Sequence, residues 1–434
     1  MSAADTIFAL ASGAGRAAVA LLRLSGPGAG AALTALAGPL PPPRQASLRR
    51  LRDAAGEALD QALVLWFPAP GSYTGEASAE FHLHGGPAVV AAVSEALVAA
   101  GARPAEPGEF TRRAFLNGKL DLTEAEGIAD LIEAETEAQR RQALRQAGGA
   151  LSAQVAAWSA RLARLLARQE AFIEFEDEDL PAGLNDAVAA EAAALATEMA
   201  AQLAAAPRGE RLRDGLMVAI IGAPNAGKSS LLNALVGREA AIVSARAGTT
   251  RDVVEVRLVL AGVPVTLADT AGLRDAADEI EAEGVKRARR RAEEADVVLA
   301  VFAADQPADA ETLAAMPTGA LVVANKADLA APGIAGALAV SALTGAGLAE
   351  LRAALTARAA ALAGLTEQAT LTRPRHRAAV GEARDWLLGL ASAPMPELRA
   401  EALRAALRAL GRLTGQVGVE AILDLVFSEF CIGK

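Results

Sequence analysis

Gly222-Ala223-Pro224-Asn225-Ala226-Gly227-Lys228-Ser229-Ser230 follows a continuous apolar run, Met217-Val218-Ala219-Ile220-Ile221, and opens into Leu231-Leu232-Asn233-Ala234-Leu235. The order is buried strand, glycine loop, helix start. The glycines let backbone N–H groups turn inward toward phosphate oxygens, and the helix N-terminus adds partial positive charge. In that setting Lys228 reaches the β- and γ-phosphates, and Ser229 ligates magnesium. A glycine turn that merely precedes a helix is the competing reading. Lysine is scarce, with five among 42 basic residues, so a chance Lys at this position is improbable.

The same alternation continues downstream and predicts a parallel α/β sheet. Residues 263–268 read as a strand that ends in Asp269-Thr270-Ala271-Gly272. Asp269 holds magnesium through water, and the Gly272 amide faces the γ-phosphate, so the following segment senses hydrolysis. Residues 320–324 form another strand, ending in Asn325-Lys326-Ala327-Asp328. A carboxylate at Asp328 accepts from guanine N1–H and the exocyclic amine. Adenine lacks that donor pair, so the nucleotide is GTP. The Lys326 stem covers the base, and Val340-Ser341-Ala342-Leu343 closes its other side with backbone amides. The uncharged Leu343 leaves only backbone contact there. Together these elements resemble a Ras-like GTPase domain over residues 216–362.

Two details differ from Ras. Leu273 stands where a water-positioning glutamine is expected, and a leucine cannot orient water. The loop Val243-Ser244-Ala245-Arg246-Ala247-Gly248-Thr249-Thr250-Arg251-Asp252 carries Thr250 as a second magnesium ligand. Its residues 244–250 are expected against the nucleotide. Its carbonyls and Asn225 Oδ1 suit a hard monovalent cation beside the phosphates, doing the work of an arginine finger. Alternatively, Asn225 only caps the loop.

The chain has 434 residues and a mass of 44.1 kDa, which predicts two or three domains. Hydrophobic residues make up 53% and aromatics only 3%, so cores are built mainly from Ala-rich helices. No run of about 18 apolar residues occurs without interruption, so no spanning helix is expected. Residues 1–10 carry Asp5 and no basic cluster, unlike a secretory leader. The one cysteine, Cys431, excludes an internal disulfide framework and points to a reducing, cytoplasmic setting. Net charge is −10, which argues against coating nucleic acid by bulk attraction. By segment it is 0 over 1–118, −8 over 119–215, −4 over 216–370 and +2 over 371–434.

Residues 1–118 read as mixed α/β. Apolar runs at 17–24, 62–67 and 80–83 alternate with a helix over 87–100, and Gly/Pro turns separate them. Helix follows from Thr123 to about Ala205, where Thr123 with Glu126 three residues later reads as a capping box. The acidic stretch 174–181 breaks the pattern and reads as a solvated loop. After Leu371 the chain is helical again, with periodic arginines, to about Leu413. The helical material brackets the α/β unit, so the simplest layout is a GTPase domain inserted into a helical one.

Beyond these motifs the whole chain resembles one family, the MnmE (TrmE) tRNA wobble-uridine modification GTPases. The resemblance rests on Asp5-Thr6-Ile7, Gly15-Arg16 through Leu22-Arg23-Leu24-Ser25-Gly26, Tyr73-Thr74-Gly75-Glu76 and His84-Gly85-Gly86-Pro87. It continues with Pro107-Gly108-Glu109-Phe110-Thr111, Arg113-Ala114-Phe115-Leu116-Asn117-Gly118-Lys119-Leu120-Asp121-Leu122 and the terminus Phe430-Cys431-Ile432-Gly433-Lys434. It implies an α/β multidomain protein in four segments. Residues 1–118 form a mixed α/β, tetrahydrofolate-binding and dimerising domain. A discontinuous helical domain takes residues 119–214 and, with the terminal tail, residues 371–434. A Ras-like P-loop GTPase domain over 215–370 is inserted between its two segments. Family members add a carboxymethylaminomethyl or aminomethyl group at C5 of the wobble uridine of certain tRNAs. They work as homodimers with the FAD protein MnmG, in a heterotetramer, and use 5-formyl- or methylene-tetrahydrofolate. No membrane is involved.

Carried over by motif, the resemblance places Arg23, Glu80, Lys119 and Lys434 at the folate. Potassium falls to Asn225, Ser244, Arg246 and Thr249, and magnesium to Ser229 and Thr250. Glu281 helps to place the attacking water. Within the folate, Arg23 and Lys119 suit the carboxylates and Glu80 the pterin amide and amine. Cys431 reads either as a thiolate that adds at uridine C6 or as a small buried hydrophobe; as a prenylation box its sequence is poor. His82 and His84 face one side of a strand without a carboxylate or thiol partner in the motif, and packing or hydrogen bonding suits them better than metal. The competing functions are a ribosome-assembly GTPase switch and a stress-linked GTPase acting on a protein partner. A ribosome-assembly factor is expected to carry a compact basic RNA-binding domain. Here the N-terminal segment is neutral and the helical one acidic.

Overall fold

The computed structural model describes residues 5–174, 184–237, 255–269, 293–364, 371–390, 392–393, 395–417, 423, 426–427, 430 and 433. The chain divides into two compact units. One comprises Met1–Ala129, Gln146–Leu166 and Arg404–Lys434; the other comprises Asp130–Arg145 and Ala167–Leu403.

The first unit is built on a six-stranded sheet. Its strands are β1 (Ile7–Leu10), β2 (Ala17–Ser25), β3 (Ser47–Arg52), β4 (Ala58–Phe67), β5 (Ser78–Gly85) and β6 (Arg103–Pro104), in the order β3-β4-β5-β2-β1-β6. All pairs are antiparallel except β1 with β6. Side chains alternate between faces along each strand. Ala20, Leu22 and Leu24 of β2, Val64 of β4, and Phe81 and Leu83 of β5 point into one core with helices α1 (Ala29–Ala37) and α2 (Pro87–Ala99). Arg23 and Glu80 therefore face the other side. They stand directly opposite each other in the β2–β5 register.

The helical start near residue 120 is capped earlier than its sequence suggests. Helix α4 (Leu122–Glu133) follows α3 (Glu109–Leu116). Asp121 Oδ1 accepts from the amides of Thr123 (2.8 Å) and Glu124 (2.9 Å), and Glu124 accepts from the Asp121 amide (2.8 Å). The capping box is thus Asp121/Glu124, not Thr123/Glu126. Thr123 lies inside the helix, buried, with its hydroxyl on Asp121 and Ser152. Asp wins because its side chain reaches two free amides at once. An aromatic cluster of Phe115, Phe427 and Phe430 packs with Leu122 and Val426 in this unit.

The second unit carries most of α5 (Glu137–Ala147), α7 (Leu184–Asp214) and a second six-stranded sheet. Helix α6 (Ala150–Glu174) precedes α7 in the chain. The expected end of α7 near Ala205 is overrun: the helix continues through Pro207 to Asp214. An interior proline costs about 3 kcal/mol. Here α7 lies along α10 (Leu348–Ala363) and α11 (Pro374–Leu390), and that packing carries it through. The sheet has the order β12-β11-β10-β7-β9-β8. Strands β7 (Leu216–Ile221), β9 (Val263–Asp269), β10 (Val297–Ala303), β11 (Leu321–Asn325) and β12 (Leu338–Ala339) are parallel. Helix α8 (Lys228–Val236) follows β7 in the chain, and the short α9 (Ala310–Ala315) follows β10. Strand β8 (Glu255–Leu260) departs from the expected all-parallel pattern and pairs antiparallel with β9. Ala261 and Gly262 make the tight turn between them, with φ of 51° and 78°. Two left-handed residues match the twist of a two-residue hairpin.

The chain enters this sheet after Arg213 and leaves it before Arg373. Both guanidinium groups donate to one oxygen of Asp130, each at 2.8 Å, and the Asp130 side chain is only 8% exposed. One buried carboxylate therefore ties the incoming and outgoing segments together.

Asp121→Ala removes the carboxylate oxygen that accepts from two amides at the α4 cap. It is expected to cost about 1 kcal/mol, seen as a fall of about 2–4 °C in the thermal midpoint of the intact protein. No change in midpoint would return the cap to Thr123.

Candidate nucleotide site and N-terminal cavity

β7 lies between β9 and β10, and the chain moves outward from it first to one side and then to the other. Such a switch point leaves a crevice at the C-terminal strand ends, where ligands of open α/β sheets bind. The loop 222–227 fills that edge, between β7 and α8. A Cβ at Gly222 would overlap the Val301 carbonyl of β10, and one at Gly227 would overlap the Asn325 amide. Both glycines are fixed by close approach of neighbouring strand ends. Lys228 is buried, and its ammonium donates to the carbonyls of Gly222 (2.7 Å) and Ala223 (2.9 Å). Asn225, at φ 63°, sits at the exposed mouth with Ser229 and Ser230. Asn tolerates this left-handed backbone better than most residues. Ala226 is buried against the core of the sheet.

The segments expected to meet the base converge on the same edge. Asn325 ends β11 and is 2% exposed. Its Nδ2 donates to the carbonyls of Ala226 (3.0 Å) and Gly227 (3.4 Å), while its Oδ1 accepts from the Ala342 amide (3.1 Å). Asp328 accepts from the Ser341 hydroxyl at 2.5 Å, and that hydroxyl accepts from the Thr344 amide at 3.1 Å. Lys326, at φ 61°, places its ammonium 3.4 Å from Asp305, just past β10. Leu343 is 87% exposed. Sequence reading missed two helpers, Asp305 and the Ser341 side chain. The first had no motif around it. The second was visible only as a hydroxyl near the base, with no sign of its aspartate partner.

Asp269 ends β9 in register with Ile220, so its backbone is beside the phosphate loop. Ser244, Ala245, Arg246, Ala247, Gly248, Thr249, Thr250, Thr270, Ala271, Gly272, Glu281, Cys431 and Lys434 lie outside the described residues. No group of three or more His, Cys, Asp or Glu that could hold a metal occurs among the described residues. No described helix is long and apolar enough to cross a membrane.

The first unit holds a cavity of about 350 Å³ on the sheet face opposite α1 and α2, lined among others by Arg23, Arg44, Phe67, Tyr73, Glu80 and Lys119. It brings together three of the four expected folate residues, Arg23, Glu80 and Lys119. Arg23 donates through its Nε and Nη2 to Glu80 at 3.2 Å, and its guanidinium lies 5.5 Å from the Tyr73 ring centroid. Lys119 reaches the Pro70 carbonyl at 3.3 Å. Thr74 and Ser78, which also line the cavity, bond Ser25; Ser25 donates to Glu76 (2.8 Å), and Glu76 pairs with Arg113 (3.1 Å). Arg113 and Arg103 both clasp the buried Glu109. His84 bonds Asp60 through Nδ1 at 2.7 Å, and Asp60 also accepts from the His84 amide. His84 is thus held by hydrogen bonds to Asp60.

A family model described as the MnmE helical domain matches residues 122–431, and one described as the GTP-binding protein TrmE N-terminus matches residues 6–119. A tRNA modification GTPase MnmE from Gluconacetobacter diazotrophicus is 61% identical over 434 residues, covering 99% of this chain and 98% of its own. The chain belongs to the MnmE family. The relative of the same description from Granulibacter bethesdensis is 57% identical, with 99% of each chain covered. Among solved structures, the G domain of the T. maritima FeoB iron transporter aligns to 33% of this chain and 98% of its own, with 26% identity and a TM-score of 0.26. The GTPase fold of this family member rests here on strand order and loop geometry. Its fold class is the expected one: a mixed N-terminal domain, helical segments and a P-loop GTPase domain.

Burial raises the Glu109 carboxyl pKa, but hydrogen bonds from Arg103, the Glu106 amide and Arg113 outweigh it and hold the group below 4.5. A depressed carboxylate gives stability that is present above its unfolded pKa and is lost as pH falls through the folded one. The thermal midpoint of the first unit should therefore drop on acidification below about pH 4.5. Glu109→Gln should flatten that acid dependence while lowering the neutral-pH midpoint. An unchanged acid profile would remove Glu109 from the network.

Proposed function

We propose that this protein is the GTP-hydrolysing component of a system that modifies C5 of the wobble uridine in certain tRNAs. The observation that carries the GTP assignment is Asp328, held by Ser341 at the strand edge that also bears the Lys228 loop. A fixed carboxylate there accepts both donors of guanine. Family membership carries the tRNA assignment. Nucleosides from cells lacking the protein should lack a C5-modified wobble uridine by mass spectrometry. The intact chain should restore it and Lys228→Ala should not. An unchanged nucleoside profile would leave only a GTPase switch.

The oxygen donors around the loop suit hard cations. Ser229 is an exposed residue in the first turn of α8, and Asp269 ends the adjacent strand. These two and Thr250 would hold magnesium, which neutralises charge on the β- and γ-phosphates. Asn225 at the loop mouth, with Thr249 and the carbonyls of Ser244 and Arg246, would hold potassium. Lys228 moves from the carbonyls of Gly222 and Ala223 to phosphate oxygens, exchanging neutral acceptors for charged ones. Glu281 orients the attacking water, a task Leu273 cannot perform. GTP hydrolysis is expected to run faster in potassium than in sodium at equal ionic strength; equal rates would overturn the cation site.

The N-terminal cavity is the folate site in this reading. Glu80 and Arg23 offer an acceptor and donors for the pterin edge, and Lys119 and Lys434 offer cations. The four-segment division at 118, 214 and 370 belongs to the same proposal, as do a homodimer, an FAD-containing MnmG-type partner and a cytoplasmic location.

A further inference from the structure

The cavity of the first unit is lined by three cations, Arg23, Arg44 and Lys119, against one carboxylate, Glu80. These charges are not equivalent. Arg23 and Glu80 face each other across β2 and β5, both partly shielded, with side chains 23% and 21% exposed. They neutralise one another at the inner wall, where Arg23 also lies over Tyr73 and Phe110. Arg44 and Lys119 lie at the exposed rim, with no carboxylate among the cavity's other described lining residues.

One turn holds both rim cations. The carbonyl of Gly71 accepts from Arg44 and the carbonyl of Pro70 accepts from Lys119. Neutral carbonyls orient the two groups without discharging them. Arg44 is further fixed by its guanidinium against Phe67, 5.7 Å from the ring centroid, and by its amide on the Trp66 carbonyl (2.8 Å). The Lys119 stem passes beside Gly75, where a Cβ would lie 3.3 Å from its Cγ. Two aimed cations on one rim fit two carboxylates. Arginine adds a planar fork for bidentate contact that lysine lacks.

We infer that Arg44 is a binding residue of this cavity, pairing with Lys119 to hold the glutamate tail of the folate, while Arg23 serves Glu80 and the pterin end. The assignment rests on the folate reading above. It moves carboxylate recognition from Arg23 to Arg44, a residue in none of the sequence motifs. Further glutamates on the tail would extend along the same rim.

Calorimetric titration of the full chain tests this with three probes: 5-formyl-tetrahydrofolate, its triglutamate, and the 5-formyl-tetrahydropteroate that lacks the tail. Arg44→Gln should weaken binding of the monoglutamate roughly tenfold or more, the worth of a charge-assisted hydrogen bond. Its affinity for the tail-less pteroate should stay within about twofold of the unchanged protein, which also reports an intact cavity. Arg44→Lys should recover only a fraction of the loss. Equal weakening for pteroate and folate, or no weakening for either, would overturn the assignment. Failure of the unchanged protein to bind any of the three would overturn the folate reading and this assignment with it.

Discussion

The side-chain amide of Asn325 is the interaction on which the nucleotide site depends. The loop 222–227 and the loops after β11 and β12 come from distant stretches of the chain. Asn325 is buried at the end of β11 and directs both its amide nitrogen and its oxygen at backbone. Its nitrogen takes Ala226 and Gly227, and its acceptor takes Ala342. Three loops are thereby set to one another before any ligand arrives. Binding then loses less conformational freedom, the physical meaning of preorganisation. Gly227 is required by this contact, because any Cβ there would displace the amide.

Around that point the second unit is held by charged ties. Asp130 between Arg213 and Arg373 closes the chain where it enters and leaves the sheet. A buried carboxylate with two guanidinium partners is costly to break, since losing one partner leaves uncompensated charge in a poorly hydrated place. Arg257 of β8 pairs with Glu135 at 2.8 Å, just beyond α4. Strand β8 is thus tied to the segment between α4 and α5. In the first unit the corresponding role falls to Glu109, clasped by Arg103 and Arg113. Through Glu76 and Ser25 that cluster reaches the floor of the cavity.

Much of this was legible in the chain itself. A strand, a glycine loop and a helix in that order leave little freedom, and the structure has them at Leu216–Ile221 and Lys228–Val236. The aspartate and asparagine motifs could be assigned because each follows an apolar run long enough to be a strand. The capping box was misplaced by two residues because Asp121 and Thr123 are both good caps, and only geometry shows which side chain reaches the free amides. The helix through Pro207 and the antiparallel β8 were missed for a related reason. Local preference at a proline or along a short strand is readily overridden, here by packing of α7 on α10 and α11 and by the pairing of β8 with β9.

By itself the sequence determined the family, the GTPase class and the strand–loop–helix order that carries Lys228, and it named Arg23, Glu80 and Lys119, which line one cavity. These depend on short segments whose side chains act with their own backbone. Only the tertiary structure decided which charges are spent on one another and which remain for a ligand. Arg23 and Glu80 are 57 residues apart and meet because β2 and β5 pair in one register. Arg44 joins Lys119 because a turn between β4 and β5 offers two carbonyls side by side. Such pairings are set by sheet register and loop closure, and no local pattern records them.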